Sequence, residues 1–298
     1  MTMTPNLSDV QLAEHPLATP GPKRLRWWKE VVIIIGFYVV YSSARNLFGS
    51  ARIDQREEPV QAFHNALRVI RLERFLGLYH EETLQDIFLP HEWFIRFWNI
   101  YYGSFHFVVT IGAFITLYLK MPVRFTRWRN CLAFTTAFAI VGFSLFPLMP
   151  PRLLNDTGPY GGARLSDDRG YENFGFVDTL DEVGGLWSFD QSAMAELSNQ
   201  YAAMPSMHVG WSTWCALALW PLTRRRWWAK ALLVLYPLAT LFCIIVTANH
   251  FWLDGVGGLV TLFFGYHAGA ALDRWNDRRL LRKLTAESEA HGEVVTEP

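Results

Sequence analysis

Apolar residues along this chain fall in long runs, and a run of about 20 is enough to cross a bilayer as a helix. Six stretches meet or approach that length: Trp27 to Phe48, Trp93 to Leu119, Trp128 to Leu148, Met204 to Leu222, Trp228 to Thr247 and Phe251 to Leu272. Only a few residues around Asn249 and His250 part the last two, which predicts a tight hairpin with His250 at the junction. One segment is different. In VQAFHNALRVIRLERFLGLYHEETLQDIFL, apolar residues recur at helical spacing beside many charges. Residues 59–89 therefore read as an amphipathic helix or pair on the outer surface, either capping the bundle or serving lipid access.

The positions of lysine and arginine orient these spans, because short cytoplasmic loops carry them in excess. Lys23, Arg24, Arg26 and Lys29 precede the first span, and Lys120, Arg124, Arg127 and Arg129 lie between the second and third. Arg224, Arg225, Arg226 and Lys230 lie between the fourth and fifth, and Arg274, Arg278, Arg279, Arg282 and Lys283 follow the sixth. The loop of residues 150–203 is instead acidic, with Asp156, Asp167, Asp168, Glu172, Asp178, Asp181, Glu182, Asp190 and Glu196. The expected fold is an all-α, polytopic membrane bundle of six transmembrane helices over residues 23–283, with both termini cytoplasmic. Residues 1–22 and 284–298 read as loose polar tails.

Composition supports lipid as the solvent. Of 298 residues, 51% are hydrophobic, 15% aromatic and only 18% charged, against about 25% charged in a soluble domain. Thirteen tryptophans and a mean hydropathy of +0.11 fit interfacial aromatic belts. Cys131, Cys215 and Cys243 fall inside apolar runs without paired or metal-ligand spacing, so they read as packing residues. An integral multi-pass protein of the plasma membrane is expected, with membrane lipids around it and no nucleic-acid partner.

With that topology four polar residues gather at the outer face: Arg152 after the third span, His208 at the start of the fourth, His250 at the end of the fifth and Asp254 opening the sixth. Each alone is more often structural, but together they suit metal-free phosphoryl transfer. In Met204-Pro205-Ser206-Met207-His208 the proline stands where a helix can start, so free amides and the positive dipole end offer an anion site with Ser206 beside the imidazole. His250 and Asp254 are four residues apart and share a face if helical, so the carboxylate can hold one ring proton and leave the other nitrogen to attack. The chemistry this predicts is in-line attack by His250 on phosphorus, with Asp254 orienting it and His208 as acid and then base. Arg152 and helix amides would neutralise the developing charge. No cofactor is needed.

These residues resemble the second and third motifs of the type 2 phosphatidic acid phosphatase superfamily, here Pro205-Ser206-Met207-His208 and His250 with Asp254. Within it, MPPRLL, MPSMHVGWS and ANHFWLDGVGG look most like the branch of inositol phosphorylceramide synthases, as do NIYYGSFHF, with Asn99, Tyr101, Tyr102 and His106, and ERFLGLYHEETLQ. The resemblance implies a lipid phosphate or phospholipid substrate and a polyol acceptor such as inositol. The sequence departs from the superfamily's pattern at four places. If Arg152 is the first motif's arginine, Leu145 stands for its lysine and Leu153 for its proline. Met207 replaces a glycine of the second motif and Ile244 the arginine of the third. Fewer cations around the phosphate favour the transferase-like branch.

His106, placed near mid-span where ionisable groups are costly, is a candidate for the substrate pocket together with Tyr102 and Asn249. Gly255, Gly257 and Gly258 read as packing positions, and the acidic loop as a lid or a solvated connector. Two competing functions are a metal-dependent hydrolase, with His208, His250 and Asp254 as three zinc ligands, and a non-enzymatic transporter, for which broken helices and inverted repeats are lacking.

Overall fold

A computed structural model describes residues 26–48, 59–158, 160–169, 174–185 and 200–293. The expected N-terminal tail and much of the acidic loop lie outside the described residues, which are helical and contain no strand, only an isolated parallel bridge between Leu148 and Ala202. Eleven helices can be followed through them: α1 (Trp27–Phe48), α2 (Val60–Leu76), α3 (Glu81–Phe88), α4 (Glu92–Ile100), α5 (His106–Lys120), α6 (Pro122–Leu145), α7 (Ala163–Arg169), α8 (Thr179–Glu182), α9 (Met207–Leu219), α10 (Trp227–Val246) and α11 (Trp252–Glu293). A π-helical turn at Tyr101–Phe105 joins α4 to α5 without a break.

Among the described residues, three helices are long and apolar enough to cross a membrane: Glu92–Lys120, Trp227–Val246 and Trp252–Glu287. Their outward faces stay apolar and exposed, with Val108, Ile111 and Ile115 on α5, Leu235 and Leu238 on α10, and Phe263 and Phe264 on α11. Such a surface suits lipid rather than water. The fourth apolar stretch is shorter as a helix than its sequence: α9 has 13 residues, continued by a 3₁₀ turn at Trp220–Thr223. At the other end of the chain α11 continues to Glu293, past Leu284 where a loose tail was expected. Arg, Leu, Lys, Ala and Glu dominate that stretch and are strong helix formers, so it needs no apolar face to extend the helix.

Two large cores hold the bundle, with a small third cluster of Val209, Ile244 and Ile245 on which the site residue Tyr102 packs. The first joins α5, α6, α9 and α11 through Ala113, Leu117, Phe125, Trp128, Cys131, Leu132, Trp214, Cys215 and Leu262. Helices α6 and α11 approach closely because a Cβ at Gly265 would lie 2.2 Å from Thr135 Oγ1 and 2.7 Å from its backbone nitrogen. Asn130 of α6 donates to Asp273 of α11 at 2.9 Å along the same seam. The second core lies under α2. There Ala62, Phe63, Ala66, Leu67, Val69 and Ile70 cover Leu148, Met149, Leu153, Leu154, Ala248 and Phe251, the residues that carry the loops of the site. The amphipathic segment is thus a helix pair that caps the bundle, with Leu72, Phe75 and Leu76 left exposed along one edge. The three cysteines are buried and free, as packing residues should be.

Candidate active site

The hairpin between α10 and α11 is built from two helix caps placed back to back. At the end of α10, Ala248 takes a left-handed conformation (φ 51°). Its N–H bonds Ile245 O at 2.8 Å and the next amide, of Asn249, bonds Ile244 O at 3.0 Å, the two bonds of a Schellman cap. Glycine usually occupies that position. The Asn249 amide group donates to Thr247 O and Oγ1, at 3.2 and 2.9 Å. Its side chain therefore holds the turn next to His250.

His250 follows this cap and precedes α11, so it is not on a helix with Asp254 as the spacing alone suggested. The contact forms nonetheless, because Asp254 is the third residue of α11 and folds back over the helix start. Its Oδ2 accepts the Phe251 N–H at 2.9 Å, half of a capping box, and the His250 Nδ1–H at 3.1 Å. Both side chains are buried, Asp254 completely. With Nδ1 occupied, Nε2 is the ring nitrogen left for chemistry.

His208 comes to this place by direct backbone contact between α9 and α11. Ser206, the residue before α9, donates its N–H to Asp254 O at 2.8 Å. The two segments meet so closely that a Cβ at Gly258 would lie 2.2 Å from Ser206 O, which is the packing role expected of that glycine. Pro205 precedes the capping residue and does not itself open the helix. Met207 and His208, as the first helical residues, carry the orphan amides of the helix start. Ser206 is fully buried and its Oγ has no partner, and neither has His208 Nε2. The His208 and His250 ring centroids are 5.7 Å apart.

The π turn adds the wall opposite. Such turns insert one residue into a helix and are frequent at functional sites. Here the Tyr102 ring stacks on His208 with centroids 4.3 Å apart, and the His106 ring meets His208 edge-on at 4.3 Å. His106 Nδ1 contacts Tyr102 O at 3.1 Å. Tyr102 and His106, two of the three candidates for the substrate pocket, thus touch His208.

Arg152 lies in a 3₁₀ turn, Pro151–Leu153, whose Arg152 N–H bonds Ala248 O at 2.8 Å, tying this loop to the hairpin. Its guanidinium makes an ion pair with Asp178 and donates to Gln200 at 2.6 Å, while its buried Nε has no partner. The acidic segment that supplies Asp178 is stitched to α3 and α4. Gln85 exchanges two hydrogen bonds with the Val177 backbone, and Asn99 donates to Thr179 O and Gly184 O. Asp178, Gln200, Gln85 and Asn99 therefore frame the site, although no local pattern separated Asp178 from its acidic neighbours. Among the described residues, no three His, Cys, Asp or Glu side chains are disposed to hold a metal ion.

A family model described as the PAP2 superfamily matches residues 67–268, more than half of the chain and every site residue discussed above. No curated protein and no solved structure gives a match.

Proposed function

Because the chain belongs to the PAP2 superfamily of phosphatases and phosphotransferases, we propose that it moves or removes a phosphoryl-linked head group on a membrane lipid through a phosphohistidine at His250. The observation that carries this reading is the facing of two imidazoles, 5.7 Å apart, with one of them held through Nδ1 by a buried carboxylate. In-line attack by His250 Nε2 forms the N–P bond as the bond from phosphorus to the leaving oxygen breaks. Asp254 keeps the proton on Nδ1 and balances the charge that develops on the ring. His208 gives a proton to the leaving oxygen, then takes one from water or an acceptor hydroxyl, which attacks phosphorus and frees His250. Arg152 and the amides at the start of α9 face the charge that spreads over the phosphoryl oxygens, and Ser206 Oγ lies beside those amides.

Six spans, both termini in the cytoplasm and a site at the non-cytoplasmic face of the plasma membrane complete the reading. The distribution of Lys and Arg supports that orientation. Transfer to a polyol such as inositol is favoured over hydrolysis by the apolar residues at cationic motif positions: Ile244 is buried in the wall beside the site, and Leu145 points outward from the end of α6. The test is product analysis by purified protein given labelled lipid phosphates and phospholipids, with and without inositol, with EDTA and with His250→Ala. Acceptor-dependent lipid product that survives EDTA and vanishes in the variant is expected. Free phosphate alone would make the enzyme a phosphatase, EDTA sensitivity would point to a metal, and turnover that persists in His250→Ala would remove the phosphohistidine.

A further inference from the structure

Two glutamates of the amphipathic pair reach the start of α11 from outside the catalytic group. Glu73 of α2 and Glu81 of α3 are both fully buried. Glu73 Oε1 accepts the Leu253 N–H at 2.8 Å, and Glu81 Oε1 accepts the Trp252 N–H at 3.3 Å. Together with Asp254 Oδ2 on the Phe251 N–H, three carboxyl groups satisfy the amides that a helix start leaves without partners. The remaining oxygens, Glu73 Oε2 and Glu81 Oε2, are buried with no donor. Because their Oε1 atoms sit on the successive amides of Leu253 and Trp252, the two carboxyl groups are neighbours. Two charged carboxylates cannot rest there beside Asp254, since buried like charges repel and each would keep an orphan acceptor. One proton shared by the two carboxyl groups removes both difficulties.

We propose that Glu73 and Glu81 share a proton and act as positioning residues, clamping the first turn of α11 so that Asp254 holds His250 in line for attack. The inference rests on the catalytic reading above for its effect on turnover, but not for the shared proton. Burial, the hydrogen bond to Glu81 and the charge of Glu81 all push the Glu73 carboxyl well above the usual carboxylate range, with a smaller push from Asp254 and an opposing pull from the Leu253 N–H. Beyond these groups, the Tyr79 phenol lies near Glu81, donates to Glu82 at 3.2 Å and sits under the Arg74 guanidinium. A carboxyl held protonated by the fold favours the folded state at low pH, and that contribution is lost as pH rises from its unfolded value towards its raised one. At alkaline pH the pair becomes doubly charged and its grip on α11 weakens.

Three substitutions test this, read by kcat, KM, the pH profile and unfolding in detergent. Glu73→Ala removes the acceptor for Leu253 N–H and the donor to Glu81, so kcat should fall about 10- to 100-fold with KM little changed, the range for partners one shell behind a reacting group. Glu73→Gln copies the protonated carboxyl, its Oε1 accepting from Leu253 and its amide donating to Glu81. It should recover that loss and carry activity to higher pH than the native enzyme, with an unfolding midpoint that no longer drops in alkali. Glu81→Gln removes the other half of the pair and should lose the infrared carbonyl stretch of the buried acid in its native position. If Glu73→Gln is as damaged as Glu73→Ala, or keeps the native pH dependence of both activity and unfolding, the shared proton is refuted. Infrared and unfolding need no turnover, so a His250→Ala variant that remains active would sink the catalytic reading while leaving the proton to be judged on its own.

Discussion

At the scale of single residues, the site depends on what Asp254 does with its two jobs. Its Oδ2 caps the Phe251 amide and also holds His250 Nδ1, so the group that starts the helix is the group that selects the ring tautomer. Asp254→Asn would keep the shape but present an amide that can stabilise the wrong tautomer and no longer balances a positive ring. For a carboxylate in that relation to an imidazole the expected loss in kcat is about 10⁴-fold. Rapid-quench trapping of the phosphoenzyme, with KM measured alongside, checks it. A variant within a few-fold of native activity would show that Asp254 serves the helix and not the histidine. The same scale shows the reach of sequence reasoning. The spacing of His250 and Asp254 pointed to their contact, although the expected helical route was replaced by a cap. Asn249, equally polar and adjacent, turned inward to Thr247, and nothing in its neighbours distinguished the two fates.

At the scale of elements, the close seams are set by glycine. A methyl group on Gly258 would meet the Ser206 carbonyl, a backbone atom that already accepts the Gly210 N–H at 3.1 Å. Gly258→Ala must therefore push the start of α9, and His208 with it, away from α11. Overpacking of this kind costs about 1–3 kcal/mol, to be seen as a lower unfolding midpoint in detergent together with reduced kcat. Gly112→Ala is the matched control: nothing lies within 4 Å of the added atom, and replacing a helical glycine there should stabilise by about 0.5–1 kcal/mol. Equal effects at the two positions would refute the seam. Element-level patterning also carried an unread signal at Glu73. In the stripe of Ala62, Phe63, Ala66, Val69 and Ile70 it falls at the next helical repeat, a carboxyl on the buried face. Periodicity placed it there, but its partner, the Leu253 amide, lies 180 positions away.

At the scale of the whole molecule, orientation in the membrane is the main expectation. Asp181 of the acidic segment and Arg225 of the α9–α10 turn are both exposed, and the native cysteines are buried. In intact cells a membrane-impermeant maleimide should label Asp181→Cys directly and Arg225→Cys only after permeabilisation. Labelling of both from one side would overturn the six-span arrangement with its site outside the cytoplasm.

What the sequence alone determined was local in origin: a helical membrane protein, an amphipathic helical segment, a hairpin at His250, and the residue types suited to phosphoryl transfer. These follow from run length, periodicity and spacing, which act between neighbours in the chain. Only the tertiary structure decided that Tyr102 and His106 lie on His208, that Arg152 is held by Asp178 and Gln200, and that two glutamates of the outer pair cap α11. Each of those contacts joins segments far apart in the chain. Its partner is chosen by how whole helices pack, at seams where missing side chains let backbones touch, and by the need of buried polar atoms to find whatever donor or acceptor that packing brings near.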